Sequence, residues 1–384
     1  MAIQKNYDVI ICGAGPAGST AALALVDSGL RVAVIEKYSF PRDKICGDAV
    51  ASYVPKVLNT INPRFKDAAM EFDQKVIVDT CRLYAPNKKY VDISSGEYGF
   101  IASRVAWDNF LYELASKQPN ITYFLNQPII DVSISEQRKE VIVKTKGDTF
   151  TAKLIIGCDG AQSIVNKKIT KTRPDLSHYS GAVRAYFKNV SGIPDNTFEL
   201  HFIKEALPGY FWIFPIKDNM ANVGLGALSK SISNKKMNLR KSMMDIIQNN
   251  PYIKERFANA EMVGDLEGFG LPLGSRKVTI SGDHFMLCGD AAALIDPASG
   301  EGIGQAMVSG RYAGWHAKKC FEQNNFTGTF MKGYDKLVYD KLWWTHRKHF
   351  YLQKLILDRA WLLNGLFTFL KNKTISRFLI KAMG

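Results

Sequence analysis

The sequence predicts an α/β fold: a parallel-sheet domain of Rossmann type, an antiparallel β-sheet inserted into it, and a helical C-terminal region. Three observations carry this. An apolar strand near the N-terminus runs through a glycine-rich turn into an Ala/Leu-rich helix. Two later strands end in Asp-Gly and Gly-Asp pairs, and the chain between them alternates in the manner of antiparallel strands. At 384 residues the length suits about two domains.

Taken in order, Tyr7–Cys12 is a short strand-type run that leads into Gly13-Ala14-Gly15-Pro16-Ala17-Gly18 and a helix ending near Ser28-Gly29. Gly13 permits the tight turn, Gly15 lets backbone approach a pyrophosphate, and Gly18 lets helix and strand pack closely. A second strand, Arg31–Ile35, ends in Glu36 with Lys37 beside it. A carboxylate there accepts from ribose hydroxyls and repels a 2′-phosphate, so the turn suits FAD or NAD. Lys153–Ile156 runs into Gly157-Cys158-Asp159-Gly160, and Phe285–Cys288 into Gly289-Asp290, followed by Asp296-Pro297-Ala298-Ser299-Gly300-Glu301-Gly302-Ile303-Gly304 and a helix. The insertion contains Gly181–Phe187, Phe198–Phe202 and Asn222–Ala227, all of strand type, and a helical stretch near 238–259. The expected division is 1–75, 97–165 and 275–325 for the nucleotide-binding domain, 76–96 and 166–274 for the sheet, and 326–384 for the C-terminal region.

Within the insertion, Leu207-Pro208-Gly209-Tyr210-Phe211-Trp212-Ile213-Phe214-Pro215 puts Tyr210, Trp212 and Phe214 on one side of an extended segment. Such a face either covers a core or lines a site. If the sheet roofs a cavity over the nucleotide-binding domain, the Tyr210 and Trp212 face points into it.

Charge and cysteine usage bound the setting. Fifty Lys and Arg against 36 Asp and Glu give +14. From Lys341 to Gly384 nine basic residues stand against the single acid Asp358, interleaved with Trp343, Trp344, Phe350, Tyr351, Trp361, Phe367, Phe369 and Phe378. The Trp361–Leu370 run is too short to span a bilayer, which takes about 20 apolar residues. The tail is either an amphipathic surface for an anionic membrane or a helical cap with a solvated basic face. No recognisable nucleic-acid module is present, so nucleic acid is not an expected partner. The six cysteines fall singly, three in predicted central strands, as in a reducing compartment. No charged or apolar leader stands in the first six residues, and the expected location is cytoplasmic. His178 and His201 are expected to be structural or surface residues rather than ligands, and no metal-ligand cluster is evident.

The N-terminal fingerprint with the Asp159-Gly160 and Gly289-Asp290 segments resembles the p-hydroxybenzoate-hydroxylase-like flavoproteins. The resemblance implies a Rossmann-type FAD-binding domain with a substrate domain inserted, Asp290 at the ribityl and pyrophosphate part of FAD, and Arg104 near the pyrophosphate. It also implies that the helix opening at Gly302 and Ile303 faces the flavin, where its dipole stabilises the anionic reduced ring. Lys37, Cys46, Asp159, Pro297 and Gly300 complete the expected cofactor-binding set. With the Pro-x-Tyr-x-Trp-x-Phe-Pro strand and Phe40-Pro41-Arg42-Asp43-Lys44-Ile45-Cys46-Gly47-Asp48-Ala49, the chain is similar to the geranylgeranyl reductase family from about Tyr7 to Gly314. Relatives that halogenate tryptophan carry Trp-x-Trp-x-Ile-Pro, from which Tyr210 and Phe214 depart.

This resemblance implies a reductase that passes hydride from reduced FAD to carbon–carbon double bonds of an isoprenoid or other lipid-like substrate. The alternatives are an FAD-dependent monooxygenase acting on an aromatic or polyene substrate and, least favoured, a flavin-bearing membrane sensor. Cys46, Tyr210 and Trp212 are the expected catalytic residues. Cys46 is read either as a thiol beside the flavin or as a small buried hydrophobe. Tyr210 and Cys46 are candidate proton donors. The expected electron donor is NAD(P)H, docking by the Asp159-Gly160 turn, or an acidic reduced ferredoxin drawn to the basic surface.

Overall fold

The computed structural model describes residues 4–370 apart from 138, 173 and 358. Its first sheet has six strands in the order Ser281–Gly282, Phe285–Leu287, Leu154–Gly157, Val9–Cys12, Val32–Ile35 and Ile121–Phe124. All neighbours are parallel except the short Ser281–Gly282 strand. Val9–Cys12, Val32–Ile35 and Leu154–Gly157 are buried at every position, the continuous apolar pattern of strands covered on both faces. The helix Pro16–Leu23 lies across the long helix Ile303–Glu322 so closely that a Cβ at Gly310 would fall 2.2 Å from the Ala17 carbonyl oxygen. Beside this layer, Gln4–Asn6, Thr149–Ala152, Glu140–Thr145 and Ile129–Ser135 form a small mostly antiparallel sheet.

The inserted segments fold into an eight-stranded sheet, in the order Glu261–Pro272, Tyr179–Lys188, Met220–Leu228, Tyr210–Ile216, Thr197–His201, Val76–Tyr84, Tyr90–Ile101 and Ala49–Val50. Its two separated parts meet at the parallel pair Thr197–His201 and Val76–Tyr84; every other neighbouring pair is antiparallel. Ala49–Val50 pairs with Phe100–Ile101, so the expected cuts near residues 75 and 97 pass through a shared sheet. One face packs on the helix Leu239–Asn249, where Phe211, Ile213, Val223 and Leu225 meet Met243, Ile246 and Ile247. The opposite face carries Val78, Ile101, Trp212 and Phe214, with Phe198 and Leu200 packed on them, and looks toward the parallel-sheet domain.

The C-terminal region continues as the helices Gly328–Leu352 and Ala360–Leu370. Leu363 and Phe367 are buried against Ala85, Val91, Phe202 and Leu207, so one face of the Trp361–Leu370 run caps the sheet. Trp344, Tyr351, Leu355 and Trp361 are exposed. Lys371, Lys373, Arg377 and Lys381 of the basic tail lie outside the described residues. Among the described residues no helix is long and apolar enough to cross a membrane.

Candidate active site

Between the large sheet and the parallel-sheet domain lies a cavity of about 480 Å³. Its roof is the aromatic strand. Alternation sends Phe211 and Ile213 to the helix-backed core and turns Tyr210, Trp212 and Phe214 to the cavity, with Phe198 and Leu200 from the next strand. Trp212 can lie across its neighbour Gly224 only because that residue has no side chain, since a Cβ there would fall 2.1 Å from the indole. The indole N–H donates to Asn222 Oδ1 at 2.9 Å, and the Asn222 amide donates to the Cys46 carbonyl at 2.7 Å and to Asp48 Oδ2 at 2.8 Å. The strand is thereby tied to the loop Lys44–Asp48.

Expected site residues divide into two groups by position. Cys46, Arg104, Tyr210, Trp212, Asp290, Pro297, Gly300, Gly302 and Ile303 all line the cavity. Gly13, Gly15, Gly18 and Glu36 lie outside its lining, around the N-terminal turn. Gly13 has φ +95°, a left-handed region that favours glycine, and a Cβ at Gly18 would fall 1.9 Å from the Gly13 carbonyl. Glu36 Oε2 accepts from the Ala14 N–H at 2.8 Å. Lys37 is exposed, with its ammonium 4.7 Å from the Tyr38 ring centre. Asp159 also lies off the cavity, and its carboxylate is engaged in accepting from Ser163 Oγ and from the Ile164 and Val165 N–H groups at the start of a short helix.

Turn and cavity are bridged by a charge cluster. Arg104 makes a bidentate pair with Asp108, both bonds 2.7 Å, and Arg42 reaches the same carboxylate at 2.8 Å. Burial pushes the Asp108 carboxyl up, but the guanidinia of Arg104 and Arg42 outweigh it and hold it below the usual range. A Cβ placed on Gly15 would lie 3.7 Å from Arg42 and 3.8 Å from Arg104. At Cys46 burial raises the thiol pKa against the pull of Arg104, which argues against a resting thiolate. Tyr210 donates its hydroxyl proton to the Ser299 carbonyl, and burial pushes that hydroxyl's pKa up.

These residues fit an FAD. The helices Pro16–Leu23 and Ile303–Glu322 start at Gly15 and Gly302, neither of which supplies a side-chain cap; at the second start the Gly304 N–H is taken by the Glu301 carboxylate, which leaves the Ile303 end for an anion or a carbonyl. Two guanidinia flank the glycine turn, and the cavity opens beside the second helix start.

Several residues of this site carried no assigned role in the sequence. Arg42, Lys44 and Asp48 lie in the Phe40–Ala49 segment without a distinguishing mark, and for Asp108 the i,i+4 spacing from Arg104 was the signal for their pairing. Lys44 pairs with Asp290 at 2.9 Å. Asn222 had no local mark beyond polarity among apolar neighbours, and Glu301 none beyond its place in the Asp296–Gly304 segment. His349, on the helix Gly328–Leu352, bonds Asp296 Oδ2 at 2.6 Å and so anchors the Asp296–Gly302 loop from behind.

Comparison with known proteins agrees with this architecture. The model of a family described as FAD binding domain matches residues 6–321. A digeranylgeranylglycerophospholipid reductase of Thermoplasma volcanium is 31% identical over 364 residues, covering 90% of this chain and 86% of that protein. A menaquinone reductase of Mycobacterium tuberculosis is 29% identical over 327 residues, covering 82% and 77%. The crystal structure of a geranylgeranyl bacteriochlorophyll reductase-like protein from Thermoplasma acidophilum superposes with a TM-score of 0.82 at 25% identity, covering 96% and 92%. A flavin-dependent brominase at 20% identity and a TM-score of 0.80 shares the fold.

Proposed function

The chain belongs to the FAD-binding-domain family and, within it, to the geranylgeranyl reductases, and on that premise we propose that it reduces carbon–carbon double bonds in an isoprenoid or other lipid-like substrate. The observation that carries this reading is the cavity's roof: five apolar or aromatic side chains, Phe198, Leu200, Tyr210, Trp212 and Phe214, facing the start of the Ile303–Glu322 helix. An alkyl chain is held there by area burial rather than by hydrogen bonds. The menaquinone and digeranylgeranylglycerophospholipid reductases among its relatives are named for substrates of that class.

When bound, reduced FAD supplies the hydride and both electrons. The chain's own residues do the rest. The aromatic strand positions the alkene and excludes water. An isolated alkene has no carbonyl to polarise, so the faces of Trp212 and Tyr210 stabilise positive charge developing on carbon. The helix start at Gly302 and Ile303 would favour negative charge on a flavin bound beside it. Cys46 sits on the loop beside Arg104 as a neutral thiol that shapes the flavin's surroundings. Electrons enter from NAD(P)H or a reduced ferredoxin; because the Asp159 carboxylate is engaged at a helix start, the Asp159-Gly160 turn offers a nicotinamide backbone groups, while the +14 charge suits an acidic carrier. The exposed aromatics of the C-terminal helices, beside their basic residues, support peripheral docking on an anionic membrane.

The test is anaerobic reduction of the purified protein followed by a polyprenyl lipid, with the flavin spectrum and the lipid mass followed together. Reoxidation with a gain of two hydrogens per bond is expected. A flavin that stays reduced until air is admitted, and then oxygenates a product, would replace this reading with monooxygenation.

A further inference from the structure

We propose that Asp48 is the acid that protonates the second carbon of the double bond, an assignment that rests on the reductase reading above. Asp48 lines the cavity and is fully buried. Its loop touches the aromatic roof, where a Cβ on the preceding Gly47 would lie 3.3 Å from the Phe214 ring and 3.8 Å from Trp212 Nε1. Asp48 Oδ2 accepts two hydrogen bonds, from Tyr186 Oη and Asn222 Nδ2, both at 2.8 Å. Asp48 Oδ1 is buried and has no hydrogen-bond partner among the described residues. The two oxygens are therefore unequal: with Oδ2 committed as a double acceptor, a proton resides on Oδ1, the one with nothing else to bind.

The backbone strengthens the case. Asp48 has φ +67°, a conformation uncommon outside glycine, which persists only where surrounding contacts impose it. Here Tyr186 and Asn222, from two strands of the large sheet, hold the side chain.

Charges around the group set its proton affinity. Burial raises the Asp48 pKa to about 7, against the hydrogen bonds of Asn222 and Tyr186 and the positive charges of Arg184 and Arg104. Arg184 is itself shared, bonding Asp43 on the loop and lying 3.5 Å from Glu267. Lys44 is paired with Asp290, and Cys46 is neutral. A buried carboxyl that is protonated near neutral pH can both donate and recover.

Rival donors are less free. The Tyr210 hydroxyl is committed to the Ser299 carbonyl, and burial makes it a weaker acid. Glu301 also lines the cavity, but its oxygens accept from Tyr53 at 2.8 Å and Gln305 at 3.2 Å. In the step, hydride from reduced flavin forms one C–H bond while the Asp48 O–H bond breaks and forms the other. The π bond is lost, the flavin is oxidised by two electrons, and the carboxylate regains one proton from solvent per turnover. Tyr186, bonded to Asp48, is half-buried, and Asp43, paired with Arg184, is 37% exposed.

The deciding variant is Asp48→Asn. Asparagine tolerates the left-handed backbone, and its amide oxygen can still accept from Tyr186 and Asn222, so the fold is retained. Difference infrared spectroscopy of the flavin-free protein should show a carboxyl band titrating near pH 7 that the variant lacks. The variant should bind FAD and take up electrons like the wild type, while single-turnover reduction of a polyprenyl lipid falls by about a hundred- to ten-thousand-fold. Asp48→Glu should restore part of that rate. A variant that reduces lipid as fast as the wild type overturns the donor assignment alone, as does a wild-type protein without the carboxyl band. A wild-type protein whose flavin is reoxidised by no lipid overturns the reductase reading and this assignment together.

Discussion

Trp212 is fixed on three sides: its N–H by Asn222, its ring face by the bare backbone of Gly224, and its edges by Tyr210 and Phe214, whose ring centres lie 6.0 and 6.1 Å away. A group held this firmly contributes orientation as well as surface. We expect Trp212→Ala to keep its FAD, read from flavin absorbance per protein, while single-turnover reduction falls roughly a hundredfold, ~2.7 kcal/mol of transition-state stabilisation. Loss of the flavin together with turnover would mean that the indole supports the fold instead. The period of two along Tyr210, Trp212 and Phe214 is visible in the sequence because strand geometry alone dictates it. Asn222 and Asp48 are not visible: they stand 174 residues apart and meet only through pairing of strands and packing of a loop. Gly224 has the same character, since the need for a bare position arises from the strand beside it.

At the level of elements, the helix Gly328–Leu352 does more than close the fold. Asp296 Oδ1 accepts from the Ala298 and Ser299 N–H groups, shaping the loop that leads to Gly302, and its other oxygen is held by His349. The hydrogen bond to Asp296 raises the His349 pKa above its ordinary 6.5; at Asp296 burial pushes upward, but the bond from His349 outweighs it and lowers the carboxyl. The sign for the imidazole follows from linkage: its contribution is fully present below about pH 6.5, where the unfolded chain is also protonated, and is lost as pH rises through the raised value. The carboxylate's contribution is lost only in acid, as pH falls through its lowered value. His349→Gln should therefore lower the thermal midpoint most between about pH 5 and 6.5, with the gap to wild type closing toward alkaline pH. A gap that stays constant with pH would show that His349 acts by packing alone. The basic and aromatic character of this region was legible from composition. Which side it buries was not, because its helices present mixed faces and only contact with Phe202 and Leu207 selects Leu363 and Phe367.

On the scale of the whole molecule, the two large sheets face each other across the cavity, and the C-terminal helices wrap the outside of their junction. The centre of the parallel sheet was legible because Val9–Cys12, Val32–Ile35 and Leu154–Gly157 are buried at every position, whereas the edge strands Ile121–Phe124 and Ser281–Gly282 carry no such run. The boundary between the domains was not, because Ala49–Val50 leaves the first segment of the chain to finish the second sheet. Trp344 and Trp361, 64% and 72% exposed, stand with Tyr351 and Leu355 among the basic residues of the wrap, and Arg347 lies 5.7 Å from the Trp344 ring centre. Replacing both tryptophans by serine should leave FAD binding intact and release the protein from phosphatidylserine-containing vesicles in co-sedimentation. Binding equal to wild type would remove this face as the docking surface.

The turn after Tyr351 has a consequence for traffic. Tyr351 faces outward, while Gln353, two residues on, lines the cavity. A methylene drawn from oil into water costs about 0.8 kcal/mol, so a prenyl chain of ~20 carbons would meet a penalty on the order of 16 kcal/mol if it had to pass through bulk solvent. On the proposed membrane docking and isoprenoid substrate, reservoir and reaction chamber would be separated by a single helical turn, and the chain would be handed over without ever becoming a dissolved species. The relevant concentration would then be the density of substrate in the leaflet rather than moles per litre of buffer.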